Sequence, residues 1–213
     1  MKVAVVASTQ GSVYRETCRR NPFVRSVIGQ VVSDRPCGAL VAAAEFGHAR
    51  VLIDERNGEV FSSRLCEHLQ ATNVDVVVSF FTRLFRAPVV DAFAGRLVNF
   101  HPSILPACPG MDGFGDTLRS GALFVGSTVH FVDSGVDTGL PLLQACIPRD
   151  PSLSETELRH RVFVQQCRSL VQVLRWFDEQ RVRPQWPPVA HASYVPAEFA
   201  PNLDSRDAIE LVL

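Results

Sequence analysis

Two polar side chains, Asn99 and His101, follow the apolar pair Leu97-Val98 at a spacing of two residues. Because side chains alternate between the two faces of a strand, the amide and the imidazole project from the same face. Pro102 ends the strand, since proline lacks the N–H that a sheet ladder needs. An amide and an imidazole held side by side at a strand end are suited to holding a carbonyl. They would stabilise the charge that develops on its oxygen during nucleophilic attack.

The segments before this strand alternate between strand and helix patterns, which predicts an α/β domain. Such alternation is typical of a mostly parallel central sheet with helices on both faces. Ligands of such sheets bind beyond the carboxyl ends of the strands, which is where Asn99 and His101 lie. We predict strands at 2–7, 26–32, 50–53, 74–81, 97–100, 124–132 and 140–147. We predict a first helix that ends near residue 20 and further helices at 40–46, 62–71, 88–93 and 154–180.

The rest of the chain shows no repeat and no domain linker. A long loop follows Pro102, and loops of this length inside a domain usually have a function. Ser154 to Glu157 has the form of a capping box at the start of the longest helix. We expect residues 1–181 to form one domain and residues 182–213 to be a proline-rich tail that packs on it or extends from it.

Composition excludes several classes of function. The 213 residues have a net charge of −1, which gives no electrostatic basis for binding nucleic acid or a membrane surface. Lys2 is the only lysine, which excludes Schiff-base chemistry and a phosphate-binding loop of the Gly-Lys-Ser/Thr kind. The apolar run Val3–Ala7 is too short for a signal peptide or a membrane span. With six cysteines and no pair at two-residue spacing, the chain is expected to be cytoplasmic with free thiols.

Two longer motifs resemble those of the folate-dependent formyltransferase family, and in particular its glycinamide ribonucleotide formyltransferases. The first is the tract from Asn99 to Pro106 followed by Pro109-Gly110. The second runs from Gly126 to Val132 and continues with Val136 to Gly139. A weaker match, Val76 to Leu84, is similar to the folate-binding strand and loop of that family. The resemblance implies a Rossmann-like formyltransferase fold, with residues 1–181 as its catalytic domain.

The resemblance also implies the reaction. The family transfers a formyl group from 10-formyltetrahydrofolate, a co-substrate, to an amine, and its catalytic asparagine, histidine and aspartate match Asn99, His101 and Asp137. Asn99 and a protonated His101 would stabilise the oxyanion, and Asp137 would hold the imidazole and help to move a proton. No metal is required. A nicotinamide dehydrogenase is disfavoured, because Gly11 is the only glycine in the first turn.

The binding residues follow from the same resemblance. The folate site is expected at Thr82, Arg83, Leu84, Phe85, Val132, Asp133 and Val136. The acceptor site is expected at Gly11, Ser12, Val13, Pro109, Gly110, Asp112 and Gln166.

The acceptor residues depart from the ribonucleotide enzymes. Val13 stands where that family has an asparagine of its phosphate loop, and Gln166 stands where it has a glutamate. Asp112 lies in a segment that is rich in histidine in the family, and its carboxylate would suit a cationic amine. We therefore predict an N-formyltransferase acting on a small-molecule amine other than glycinamide ribonucleotide, as a monomer or a homodimer.

Two alternatives stay open. The first is glycinamide ribonucleotide formyltransferase activity itself. The second is hydrolysis of 10-formyltetrahydrofolate, in which water replaces the amine. Family members that hydrolyse the donor usually carry an extra N-terminal domain, whereas this sequence begins at its first strand, which disfavours hydrolysis.

Overall fold

A computed structural model of the protein describes residues 1–194 and 197–204. Within these residues eight strands form one sheet in the order β3-β2-β1-β4-β5-β6-β7-β8. The strands are Val3–Ala7 (β1), Ile28–Ser33 (β2), Ala49–Leu52 (β3), Val76–Phe80 (β4), Leu97–His101 (β5), Phe124–Phe131 (β6), Pro141–Pro148 (β7) and Phe199–Ala200 (β8). The helices are Ser12–Arg20 (α1), Pro22–Val27 (α2), Gly38–Phe46 (α3), Gly58–Ala71 (α4), Ala87–Ala92 (α5), Gly113–Arg119 (α6) and Glu155–Asp178 (α7).

The sheet is mostly parallel, as predicted. β1 pairs in parallel with β2 and with β4, and β2–β3 and β4–β5 are also parallel. β7 pairs antiparallel with both β6 and β8. The α/β class predicted from the alternation of strands and helices is therefore confirmed.

The chain divides into two compact units. The first consists of Met1–Asn99 with Phe131–Gly135. Its central strand β1 is completely buried, as expected for a strand with a neighbour on each side and no polar residue. The apolar side chains of β1, β4 and α4 share one core cluster, to which Phe61, Leu65 and Leu69 contribute from α4.

The second unit consists of Phe100–His130 with Val136–Leu213. Here Phe114 and Leu118 of α6 pack with Val125 of β6 and with Leu158 and Val162 of α7. The helix α7 begins at a capping box between Ser154 and Glu157, which confirms the predicted helix start.

Several element predictions were wrong or incomplete. Residues 26 and 27, predicted as strand, belong to α2, because Asn21 accepts the Val24 N–H and Pro22 occupies the first turn. The loop after β5 contains the unpredicted helix α6. Its glycines weaken the helix signal, whereas the packing of Phe114 and Leu118 stabilises it.

Helix α4 differs from the prediction at its start, and the tail contains a short strand. α4 begins at Gly58 rather than at residue 62, because the Asn57 side chain accepts the N–H groups of Glu59 and Val60. Within the tail, Phe199–Ala200 forms β8 and pairs with β7. Asp204 accepts hydrogen bonds from Trp176 and Arg181, so the described part of the tail is tied to the second unit.

In the described part of the chain, no helix combines the length and the apolar character needed to cross a membrane.

A buried polar cluster in the first unit makes stability depend on pH. The Tyr14 hydroxyl lies 2.6 Å from Nδ1 of His48, and Nε2 of His48 lies 2.9 Å from the Arg25 carbonyl oxygen. A carbonyl only accepts, so Nε2 carries the hydrogen and Tyr14 donates to Nδ1. Burial lowers the pKa of His48, and it also lowers the pKa of His68. The folded protein therefore holds both imidazoles in the neutral form.

We expect the free energy of unfolding to fall as the pH drops below about 6.5, the pKa of an unfolded histidine. Below that pH the unfolded state binds protons that the folded state binds only at lower pH, so the loss continues down to the folded pKa values. His48→Gln should give a shallower pH dependence between pH 7.5 and 5 in urea unfolding. His160→Gln, at an exposed position of α7, is the control and should keep the slope of the parent. Equal slopes for His48→Gln and the parent protein would contradict this account.

Candidate active site

The strand β5 delivers the two side chains that the sequence singled out. It extends through His101, one residue further than predicted, and ends before Pro102. Asn99 lies opposite Ser79 of β4 in the parallel ladder. Since Asn99 and His101 are two residues apart on one strand, they project to the same face.

His101 is 4% exposed, and both of its ring nitrogens face acceptors. Nε2 lies 2.8 Å from the carbonyl oxygen of Cys108. Nδ1 lies 3.4 Å from Oδ2 of Asp137. The carbonyl only accepts, so Nε2 donates to it and the ring orientation is set, with Nδ1 directed at the carboxylate. A side chain at Gly113 would not fit, because its Cβ would lie 2.4 Å from Nε2.

The carboxylate of Asp137 lies between two imidazoles. Besides Nδ1 of His101, Nε2 of His130 lies 3.4 Å from Oδ1. The Gly110 N–H donates to Oδ2 at 2.8 Å. Asp137 has a φ of 53°, a left-handed conformation that aspartate tolerates better than most residues. Two imidazoles, those of His101 and His130, therefore face the two oxygens of the Asp137 carboxylate.

Thr128 of β6 fixes the loop that follows β5. Its hydroxyl donates to the Ser103 carbonyl at 2.8 Å and accepts the Leu105 N–H at 3.0 Å. Gln144 of β7 donates both to the Leu105 carbonyl, at 2.6 Å, and to the Thr128 hydroxyl. Gly126 makes room for this loop and for β7, because a Cβ there would lie 2.9 Å from Cγ1 of Ile104 and would collide with the Ala145 carbonyl. The second sequence motif thus holds the first in place.

The predicted folate loop follows β4 in the first unit. Within this loop Phe85 is buried, with an exposed fraction of 8%, whereas Leu84 is 46% exposed. Thr82 lies at the start of the loop and donates its N–H to the Ser8 hydroxyl. Arg83 points inward and binds Asp34. In the same unit Val132 donates to the Leu97 carbonyl oxygen, and Asp133 accepts the Gly135 N–H.

A sequence model of the formyl transferase family matches residues 1–174, which is most of the chain. The chain belongs to the formyl transferase family.

Individual relatives agree with this assignment. The chain is 38% identical over 137 residues to the trifunctional purine biosynthetic protein adenosine-3 of Drosophila melanogaster, a match that covers 62% of this chain and 10% of that protein. It is 32% identical over 156 residues to the phosphoribosylglycinamide formyltransferase of Bacillus subtilis, covering 70% of this chain and 80% of the relative. The fly match spans a small part of a much longer protein, whereas the bacterial one spans most of a single enzyme.

A solved structure shows the same fold. Glycinamide ribonucleotide transformylase 1 from Symbiobacterium toebii superposes with a TM-score of 0.81 at 31% sequence identity. The match covers 89% of this chain and 92% of that one. The Rossmann-like formyltransferase fold expected from the sequence motifs is confirmed.

In this formyl transferase, Gly11 and Val13, two of the residues predicted to bind the acceptor, have structural roles. Gly11 precedes α1 with a φ of 63°, and a Cβ there would lie 2.8 Å from Cβ of Ala39. Val13 is buried, and Ser12 is exposed. Among Gly11, Ser12 and Val13, Ser12 therefore offers the one exposed polar side chain at the place where the resemblance led us to expect an acceptor contact.

Residues that follow Pro109 likewise make contacts within the protein. Asp112 caps α6 by accepting the Gly115 N–H, and Arg119 lies 2.7 Å from Asp112 and 2.6 Å from Asp116. Arg119 lowers the pKa of Asp112. Gly110 is bound to Asp137 through its N–H. Gln166 of α7 is half-buried.

His130 lies in the second sequence motif, which assigned it no role, and the structure places it against Asp137. The sequence carries little signal for this contact, because His130 and its neighbours in β6 are all buried and no alternation marks its face. Thr128 was likewise part of a motif without an assigned role.

We expect Thr128→Val to destabilise the protein by about 1–3 kcal/mol, because it leaves the Leu105 N–H and the Ser103 carbonyl without their buried partner. Thr128→Ser keeps the hydroxyl and should lose less. Chemical denaturation of both variants measures the difference. A Thr128→Val protein as stable as Thr128→Ser would contradict the anchoring role.

Proposed function

We propose that this protein transfers a formyl group from 10-formyltetrahydrofolate to an amine of a small molecule. The observation that carries the proposal is the carboxylate of Asp137 beside Nδ1 of His101, on a strand that also carries Asn99. Membership of the formyl transferase family supports the reaction class. By their names, relatives such as the Bacillus subtilis enzyme transfer a formyl group to glycinamide ribonucleotide.

The proposed reaction begins when the amine nitrogen attacks the formyl carbon, which forms a C–N bond and places negative charge on the formyl oxygen. The amide of Asn99 donates to that oxygen, and the positive charge of a protonated His101, whose Nδ1–H faces Asp137, stabilises it. The bond from the formyl carbon to N10 of the folate then breaks. The proton that the attacking nitrogen loses passes to N10, and Asp137 accepts and returns protons along this path. The products are the formylated amine and tetrahydrofolate.

The second nitrogen of His101 has a separate role in this proposal. Its hydrogen bond to the Cys108 carbonyl keeps Nε2 protonated, so the proton that comes and goes is the one on Nδ1. His130 approaches the other oxygen of Asp137 and orients the carboxylate. We therefore assign His130 as a positioning residue.

Turnover should fall by about 100-fold or more in His101→Ala and in Asp137→Asn, since general acid–base catalysis typically contributes 10²–10⁴-fold. Binding of the folate co-substrate should change little, because neither side chain is assigned to the folate site. The production of tetrahydrofolate and a folate titration measure the two quantities. His160→Ala is the control for an exposed histidine. Near-normal turnover of either active-site variant would refute the assignment.

The acceptor is proposed to differ from glycinamide ribonucleotide. Val13 is buried and carries no polar group for a phosphate. Gln166 has a neutral amide, which stabilises a cationic amine less than a carboxylate does. The carboxylates of Asp112 and Asp116 are both paired with Arg119. These features support a different amine, although the named activity of the relatives favours the ribonucleotide.

An acceptor screen decides between these functions. We expect tetrahydrofolate to form from 10-formyltetrahydrofolate with one class among sugar-nucleotide amines, amino acids and hydroxamate precursors. Glycinamide ribonucleotide should be turned over at least about 100-fold less efficiently, since losing charged contacts of about 3 kcal/mol has that effect. Efficient turnover of the ribonucleotide would establish the alternative activity. Formate release without any amine would instead indicate a hydrolase.

A further inference from the structure

The side chain of Arg83 is enclosed by its own unit. Its exposed fraction is 23%, and its guanidinium donates to the backbone carbonyl oxygens of Glu55 at 2.8 Å and Arg56 at 2.6 Å. It also lies 3.2 Å from Oδ2 of Asp34. Both terminal nitrogens of the Arg83 guanidinium are therefore engaged by acceptors of the protein itself.

Aromatic rings extend this enclosure. The guanidinium carbon of Arg83 lies 5.4 Å from the ring centroid of Phe61 and 5.9 Å from that of Phe81. Phe81 stacks on Phe61 at 4.9 Å and on Phe85 at 5.1 Å. A cation over such rings is stabilised by their quadrupoles. The loop is thus held at Phe81, Arg83 and Phe85, on either side of the exposed Leu84.

Asp34 is the centre of the polar half of this arrangement. It lies directly after β2, and its side chain is 2% exposed. Burial opposes its ionisation, but hydrogen bonds from Arg35, Ser8 and Arg83 outweigh burial and lower the pKa of Asp34. Ser8 connects Asp34 to the loop a second time, because its hydroxyl also accepts the N–H of Thr82. The buried carboxylate of Asp34 is therefore connected to the loop in two ways. One connection is the guanidinium of Arg83, and the other runs through the Ser8 hydroxyl to the backbone N–H of Thr82.

We propose that Asp34 and Arg83 are positioning residues for the folate co-substrate. They hold the loop from Thr82 to Phe85 so that its backbone groups and Leu84 meet the ligand, while the guanidinium itself makes no contact with it. Arg83 thus stays within the expected folate site, with its side chain as a support for the loop. The inference rests on the proposed function.

The test compares Arg83→Met with Arg86→Met. Arg86 lies three residues further along the chain, is half-exposed, and pairs only loosely with the exposed Glu59 at 3.5 Å. Two quantities are measured for each purified protein: the hydrogen exchange of the backbone amides at 82–85, and the kcat and KM for 10-formyltetrahydrofolate. Arg83→Lys keeps the charge but lacks the planar fork, and it takes the place of Arg83→Met if that variant does not fold.

Arg83→Met should speed the exchange of the loop amides and raise KM about tenfold, because binding must then order a residue that is ordered in advance in the parent. Its kcat should stay within about twofold, as expected when uniform binding is lost. Asp34→Asn should give the same pattern in weaker form, and Arg86→Met should match the parent in both measurements.

Two results would overturn the inference: equal loop exchange in Arg83→Met and Arg86→Met, or a loss of kcat at unchanged KM. The exchange measurement needs no turnover. If the parent protein failed to use 10-formyltetrahydrofolate, the proposed function would fail, whereas the exchange contrast would still decide whether Asp34 and Arg83 hold the loop.

Discussion

A carboxylate removed from water needs donors around it, and Asp137 meets that need with one backbone N–H and two imidazoles. This requirement connects several otherwise separate elements of the second unit. Gly110 has to bring its N–H to the carboxylate, and Asp137 has to adopt a left-handed backbone conformation. The ring of His101 is then fixed from the opposite side by Cys108. One negative charge therefore holds the end of the loop between β5 and α6 at Gly110, whereas Thr128 and Gln144 hold its beginning.

The two units use charge in comparable ways. In the first unit Asp34 is enclosed and reaches Thr82 and Arg83. In the second, Asp137 is enclosed and reaches Gly110 and His101. In each unit a carboxylate that is largely shielded from solvent contacts a loop that follows a parallel strand. Such loops carry function in α/β proteins because the strands hold their ends rigidly.

The sequence was a good guide wherever one strong local signal decided the structure. Uninterrupted apolar runs located β1 and β4, and the capping box located the start of α7. Helix α6 was missed because its stability comes from packing, which links Phe114 to residues more than forty positions away in α7. The resemblance to a known family led to Asn99, His101 and Asp137.

Contacts made by side chains across the fold were out of reach of the sequence. The position of His130 against Asp137 depends on the register of β6 beside a turn. The sequence does not indicate this contact, because His130 lies between two other buried residues. The inward direction of the Arg83 side chain is likewise not indicated by the sequence. It depends on the positions of Asp34, Phe61 and Phe81 around the guanidinium.

The contact between Gly113 and the ring of His101 limits how this enzyme can diversify. Met111, two residues earlier, is 78% exposed and can change without disturbing its neighbours. At position 113 even one added methyl group would collide with the imidazole. Selection or engineering for a new substrate can therefore vary the outer residues of this turn freely. Position 113 must remain glycine, because the imidazole of His101 lies where a Cβ at that position would be.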